Sequence, residues 1–287
     1  MRSGLILLCV LTSLNLFSQK ELNGIESNLS FYGDVMVSAL EAGNRSFASD
    51  QFYSLFTEYL DSVNVYETDL SFLRTLSVLE PEDARFKLVS WQIEKASYVF
   101  DYKCFIIFPD GEHVEMIDKR GVDNSLQYLN LGPDQWYGAL YYNIKKIDDS
   151  NYLVFGYNGH GQYDHVKIAD IIVLDDKAIQ LGSEVFEDKT DPGTYQMRLS
   201  LKYSSDASVN LNYNPGLKMI VMDHLIAKMG KQAGQGPTMF PDGSYEGYEL
   251  VEGKWKYIEK LYKHSYGENN APRPKPVLDK KKDIFGQ

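Results

Sequence analysis

The sequence predicts an α+β protein: an N-terminal helical hairpin followed by a large antiparallel β-meander, sandwich- or barrel-like in form. Three observations carry this. Between residues 22 and 63, apolar side chains recur at helical spacing. From about residue 72 the period changes to two, and roughly ten strand-like segments follow one another through turns with no helix between them. The 21 Tyr and 14 Phe, against 10 Pro, suit half-buried pleated faces. With 287 residues, 44% of them hydrophobic, the chain can bury a sizeable core.

The elements follow in order. Arg2, the apolar run Leu5-Ile6-Leu7-Leu8-Cys9-Val10-Leu11 and the stretch Leu16-Phe17-Ser18 before Gln19 read as a secretory signal peptide with cleavage after residue 18. The alternative is a buried N-terminal strand. The expected organisation is a signal peptide at 1–18, a helical segment at 19–66, an antiparallel β domain at 67–265 and a disordered tail at 266–287. Ile25, Leu29, Tyr32, Met36, Ala39 and Leu40 form one helical stripe, and Phe52, Leu55, Phe56, Tyr59, Leu60 and Val63 a second, with Ser49 as its cap. Their apolar faces are expected to pack on a sheet; the alternative is an exposed docking surface.

Phe86–Ile93 and Cys104–Phe108 read as strands, the latter turning at Pro109-Asp110-Gly111 into Val114–Met116. Leu126, Leu129 and Leu131 suit one helical turn or an ordered loop. Trp136–Ile147 reads as a long strand, Tyr152–Gly156 as another, and Val166–Leu174, apolar apart from Lys167 and Asp170, as a strand covered on both faces. Val185-Phe186 is a short strand before a turn at Asp191-Pro192-Gly193. In 195–203, Tyr195, Met197, Leu199, Leu201 and Tyr203 alternate with Gln196, Arg198, Ser200 and Lys202. Val209, Leu211 and Tyr213 repeat the pattern, so a hairpin through Ser204–Ser208 is expected, with Arg198 on its wet face. Met219–Met222 reads as a buried strand and Lys228–Met239 as a long loop, the place for a binding function. A strand with Trp255 closes the sheet. Phe-Pro-Asp-Gly occurs at Phe108–Gly111 and Phe240–Gly243, read as two similar turns.

The formal charge of −11 argues against a nucleic-acid partner, which would need clustered Lys and Arg. Loss of the signal would remove Arg2 and Cys9, leaving Cys104 as the single cysteine and no internal disulfide. No later run is apolar enough to span a bilayer as a helix.

Candidate chemistry is sparse. His113, His160, His165, His224 and His264 show no i,i+4 pair of the zinc-protease kind. Gly156–Gly161 is glycine-rich but leads into no helix, so a turn is expected there and not a phosphate loop. His160, Asp164 and His165 could bind a metal or hold a general base, or they decorate a solvated hairpin tip. Asp223-His224 invites an acid–base reading, but adjacent strand residues point to opposite faces. Asp242, Glu246 and Glu249 could hold calcium, or belong to an acidic hairpin. Cys104 sits in an apolar strand, where a thiol is usually inert. No catalytic residue, metal or cofactor is expected; the weak binding-site candidates are His160, Asp164, His165, Asp223, His224 and Trp255.

Five segments occur in a familiar order: Phe86–Trp91, Tyr137–Tyr142, Tyr152–Gly159, Ile220–Leu225 and Phe240–Gly247. Across residues 70 to 262 the chain resembles a group of secreted, uncharacterised proteins of Bacteroidetes-type bacteria. That group usually has Gly-Trp-Asp-Gly where this chain has Gly156-Tyr157-Asn158-Gly159. The resemblance implies export and a lineage, and no activity. Two functional readings follow. One is a non-enzymatic periplasmic or outer-membrane-associated binding or assembly subunit, with an envelope protein partner at the helical face or an open sheet edge. The other is a secreted hydrolase or carbohydrate-active protein using Asp223/His224 or Asp164/His165, with Trp136, Tyr157 and Trp255 as stacking platforms.

Overall fold

The computed structural model describes residues 24–119 and 125–261. The expected signal peptide, His264 and the tail from 266 lie outside them. Among the described residues, two helices, α1 (24–38) and α2 (Ala42–Ser62), precede fifteen antiparallel-dominated strands arranged in three sheets. The first sheet has the order β1-β2-β3-β4: Ser77–Leu79, Lys87–Ala96, Val99–Ile107 and His113–Met116. The middle sheet contains β5 (Leu140–Lys146), β6 (Asn151–Asn158), β7 (Asp164–Asp175) and β11 (Leu199–Ser204), in the order β11-β7-β6-β5, with β8 (Ala178–Leu181) also on β7. The third has the order β10-β9-β15-β14-β13-β12. These strands are Tyr195–Gln196, Phe186–Glu187, Lys254–Ile258, Pro237–Val251, Met219–Met229 and Leu211–Asn214.

Period-two alternation on strands covered on both sides builds three apolar slabs between four layers. One face of the first sheet (Val89, Trp91, Ile93, Phe105, Ile107) packs on Leu29, Met36, Phe52 and Phe56 of the helices. Trp91 sits under α2, its ring 5.3 Å from Phe52 and 5.5 Å from Phe56. The other face (Leu88, Tyr102, Cys104, Ile106) meets Tyr141, Tyr152, Val154 and Ile168 of the middle sheet. Leu153, Phe155, Ala169 and Ile171 on the middle sheet's far face meet Leu211, Ile220, Met222, Tyr248 and Trp255. No helix of the described residues is long and apolar enough to cross a membrane.

The helices meet closely because Gly33 lies against Phe52: a Cβ there would stand 3.4 Å from the ring and 3.1 Å from Thr75. α1 is capped by Arg45, whose Nη1 donates to the carbonyls of Ala39 and Leu40 at 2.9 Å while Nε donates to Glu94 O at 3.0 Å. The helical hairpin and the turn at Pro109–Gly111 match expectation, Gly111 taking φ +87°. Leu126–Tyr128 is one 3-10 turn.

Several expectations are corrected. Ser49 lies buried inside α2, because the helix begins seven residues earlier. Leu40 falls beyond the end of α1 and is 95% exposed. The strand expected from Trp136 starts only at Leu140. Gly138 takes φ +72° against the Asp118 carboxylate and breaks it, while Trp136 and Tyr137 turn into the core. The hairpin expected from 195–203 and 209–214 does not form. β11 pairs with β7, and β12 pairs with β13 on the third sheet. Alternation had correctly identified two strands with buried faces, but Leu199 and Leu211 face the same slab from opposite sheets. Arg198 is fully buried, not wet. The expected long loop at Lys228–Met239 is shortened to the seven residues Gly230–Gly236, because its two ends are strand. β13 and β14 pair out to Met229 and Pro237, and the connection is closed by Gly230 N donating to Gly236 O at 2.7 Å. Phe240–Gly243 is not a turn but lies within β14, where Phe240 and Pro241 pair with Ile226 and Leu225 and a bulge begins at Asp242.

Candidate functional site

The expected polar cluster disperses over two faces. His160 lies in the β6–β7 turn, and its Nδ1 sits 3.1 Å from the carbonyl of Phe100, on the β2–β3 hairpin. His165, on β7, shares the alternation of Ala169 and Ile171 and so faces the third sheet. It lies between the rings of Tyr157 and Tyr203, with Nδ1 3.0 Å from the Tyr157 hydroxyl. Burial pulls this imidazole below its ordinary range, against the opposing pull of Asp164. Burial likewise raises Tyr203, to about 12. Asp164 accepts from the Thr238 hydroxyl and pairs with Lys202 at 3.2 Å. Each of these groups is thus engaged in joining one strand or sheet to another.

Asp223 and His224 are separated as strand geometry requires. The Asp223 carboxylate accepts from the backbone N–H of Asn210 at 2.7 Å and so ties β13 to the start of β12. His224 stands opposite a bulge, because the register passes from Asp223↔Tyr245 to Leu225↔Pro241 and leaves Asp242, Gly243 and Ser244 against one residue. His224 Nδ1 lies 3.0 Å from Asp242 Oδ2. Asp242 Oδ1 accepts from the Ser244 backbone at 2.9 Å and hydroxyl at 2.7 Å. The Ser244 hydrogen bonds, then His224, hold the Asp242 carboxyl down to about 2. The serine therefore sits on the carboxylate and not on the imidazole, an order that does not activate a hydroxyl for attack.

Trp136 and Trp255 are buried, at 0% and 1% exposure, so neither offers a stacking platform. Trp255 lies on β15 between β14 and β9, inside the third sheet and not at its edge. Of the calcium candidates, Glu246 is buried and held by Lys189 at 3.2 Å and by the Tyr257 hydroxyl at 2.7 Å, while Glu249 is exposed. Among the described residues, no group of three or more His, Cys, Asp or Glu is arranged around a metal position.

Two surfaces remain. The first is a cleft of about 360 Å³ where the middle and third sheets part. Leu199, Leu201, Met222, Leu225, Met239 and Tyr248 line it, with Gln127, Lys189, Gln196 and Lys202 among its polar groups. The β13–β14 ribbon extends past β12 and β15 to its tip at Gly230–Gly236. There Gln235 donates to Tyr163 O at 2.8 Å and Gln232 to Ser205 at 3.1 Å, fastening the ribbon to the middle sheet. The second is the outer face of the helical layer, where Phe31, Val37, Leu40 and Phe47 are 60%, 53%, 95% and 59% exposed. A grouping of large side chains like this is more informative than scattered exposed residues.

The most constrained polar site was not foreseen. Arg198 Nε donates to Asp170 at 2.8 Å, both groups fully buried. Its remaining nitrogens donate to the carbonyls of Leu126, of Leu129 at 2.7 Å and of Leu181 at 3.0 Å. Tyr137 lies beneath the guanidinium, 5.6 Å from its ring centroid, and its hydroxyl reaches Tyr141 at 2.9 Å. Burial pushes the Asp170 carboxyl up and outweighs the pull of Arg198; burial also works against the Arg198 charge, but Asp170 holds it in place. The sequence signal was an Asp inside an apolar strand and an Arg in an alternating one, and a buried charge needs a partner.

Comparison of the chain with protein-family profiles, with curated proteins and with solved structures finds no match in any of the three.

Proposed function

We propose that this protein is a non-enzymatic binding or assembly subunit of the cell envelope, held in the periplasm or at the outer-membrane periphery. The observation that carries the reading is the outward face of the helical layer. Its inner side is filled by Trp91, Phe105 and their neighbours, yet Phe31 and Phe47 remain more than half exposed on the outer side. Packing against the sheet explains the inner stripe, whereas contact with Tyr32 leaves more than half of each outer aromatic in water. The groups that a hydrolase would use are committed elsewhere: His224 to the bulge carboxylate, His165 to Tyr157, and Asp164 to Thr238 and Lys202. Export and compartment rest on the N-terminal pattern of Arg2, Leu5–Leu11 and Ser18, and on the resemblance to secreted Bacteroidetes-type proteins.

The test is chemical cross-linking of native envelope fractions, followed by purification and sizing of the protein. A discrete larger assembly that contains it, recovered from the envelope and not the cytoplasm, supports the reading. A strictly monomeric protein after cross-linking, or a cytoplasmic one, contradicts it.

A further inference from the structure

The helical layer carries charge as well as exposed apolar area. Phe31 meets Tyr32 edge-on with ring centroids 5.2 Å apart, and Tyr32 meets Phe47 at 6.4 Å, so α1 and α2 share one aromatic strip. The strip runs into a groove of about 470 Å³, with Phe31 and Phe72 beside Glu26, Ser27, Ser30 and Asp34. The surrounding charge is one-sided. Residues 24–62 hold Glu26, Asp34, Glu41, Asp50, Glu58 and Asp61 against the single cation Arg45. Arg45 is largely buried and committed to the end of α1 and to Glu94. Neighbouring elements add Arg74 and Lys95, which pair with Asp34 and Asp50, and Glu26 accepts from the Tyr59 hydroxyl at 2.6 Å, so that Glu41 and Glu58 are left facing water.

We infer that this surface receives a basic polypeptide segment of another protein, whose apolar side chains enter the groove and whose Lys or Arg face Glu41 and compete with the exposed Arg74 for Asp34. The inference rests on the binding-subunit reading and adds the chemistry of the partner. Charge decides among occupants. An anionic lipid surface attracts clustered Lys and Arg, which this layer does not present. A second copy docked through the same face would oppose two such sets of carboxylates, in a chain whose formal charge is already −11. A basic segment gains attraction and aromatic burial together.

The experiment uses the full mature chain and a fluorescent synthetic peptide with Lys and Arg alternating with Phe and Leu at helical spacing. The comparison probes are the same peptide with Glu replacing its cations, and vesicles of mixed zwitterionic and anionic phospholipid. Fluorescence anisotropy is expected to show binding of the basic peptide alone, weakening at least about tenfold as added salt shortens electrostatic reach from about 10 Å to about 3 Å. Asp34→Lys/Glu41→Lys weakens binding by a similar factor, and Phe31→Ser/Phe47→Ser removes it, with melting temperatures unchanged in both. Equal binding of the acidic peptide, preference for vesicles, or self-association through this face overturns the inference. So does failure of every peptide to bind; if the protein still enters a cross-linked envelope assembly, the binding-subunit reading survives that failure. A monomer in both experiments ends both.

Discussion

Replacing Arg198 by Met tests the packing argument where it is most demanding. Methionine fills much of the volume but leaves Asp170 as a buried carboxylate with no cation, at 0% exposure. Breaking a buried pair by removing one partner costs about 3–5 kcal/mol. Among the carbonyls it would release, Leu126 O still accepts from Leu129 N, and Leu181 O from Leu131 N. Leu129 O is left to find another donor, adding about 1 kcal/mol. The expected loss is therefore about 4–6 kcal/mol, comparable with the whole stability of many domains. Denaturant titration should show a large fall in midpoint at an unchanged slope. The double variant Asp170→Leu/Arg198→Met should recover much of the loss, because the uncompensated charge is gone. The single variant should also regain stability in acid. Burial raises the folded carboxyl above its unfolded value, so its penalty is absent below about pH 4 and grows as pH rises through the folded value. A single variant within about 1 kcal/mol of the parent, or a double variant as damaged as the single, would refute the reasoning.

Three further outcomes follow from the same geometry. Asp242→Asn should flatten the loss of stability between about pH 4 and pH 2: the Asp242 carboxyl is held down to about 2, so its contribution is present above the unfolded value and lost as it protonates. Melting curves across that range would show it, and the neutral-pH cost should stay below about 1 kcal/mol because the site is partly exposed. Gly156→Ala should cost about 1–3 kcal/mol by chemical denaturation, because the new Cβ would stand 2.9 Å from the Ala139 Cβ and 3.3 Å from the Tyr141 ring. Cys104, fully buried with its thiol pushed well up by burial, should react with a thiol reagent only as the protein opens, so that denaturant and reactivity rise together.

The layered fold was largely legible because each element showed its period. The helical stripes, the Pro109–Gly111 turn and the alternation of β2, β3, β6 and β13 all lie in local spacing. What escaped was information that alternation does not contain. Leu199, Leu201 and Leu211 announce buried faces, but they cannot say whether their strands pair side by side or face one another across a slab. Gly138 could have warned that the Trp136 strand would break, since a left-handed residue interrupts a ladder. Arg198 looked solvated because its neighbours Gln196, Ser200 and Lys202 are polar. Its burial depends on Asp170, 28 residues earlier, a pairing that only the fold creates. The separation of Asp223 from His224 was readable from strand geometry, whereas the His224–Asp242 contact needed the bulge. The helical face was foreseen as a packing surface with docking as the alternative, and the structure assigns its two sides differently: Phe52 and Phe56 inward, Phe31 and Phe47 outward.

Site-specific photo-cross-linking tests the central functional claim most directly. A photoreactive phenylalanine analogue would be placed at Phe31 or Phe47, and at Met229 as a still more exposed control on the β13–β14 ribbon. In native envelopes the account predicts discrete adducts of one molecular mass with a basic polypeptide from Phe31 and Phe47, and none from Met229. Adducts from Met229 alone, or no adduct from either phenylalanine position, would contradict it.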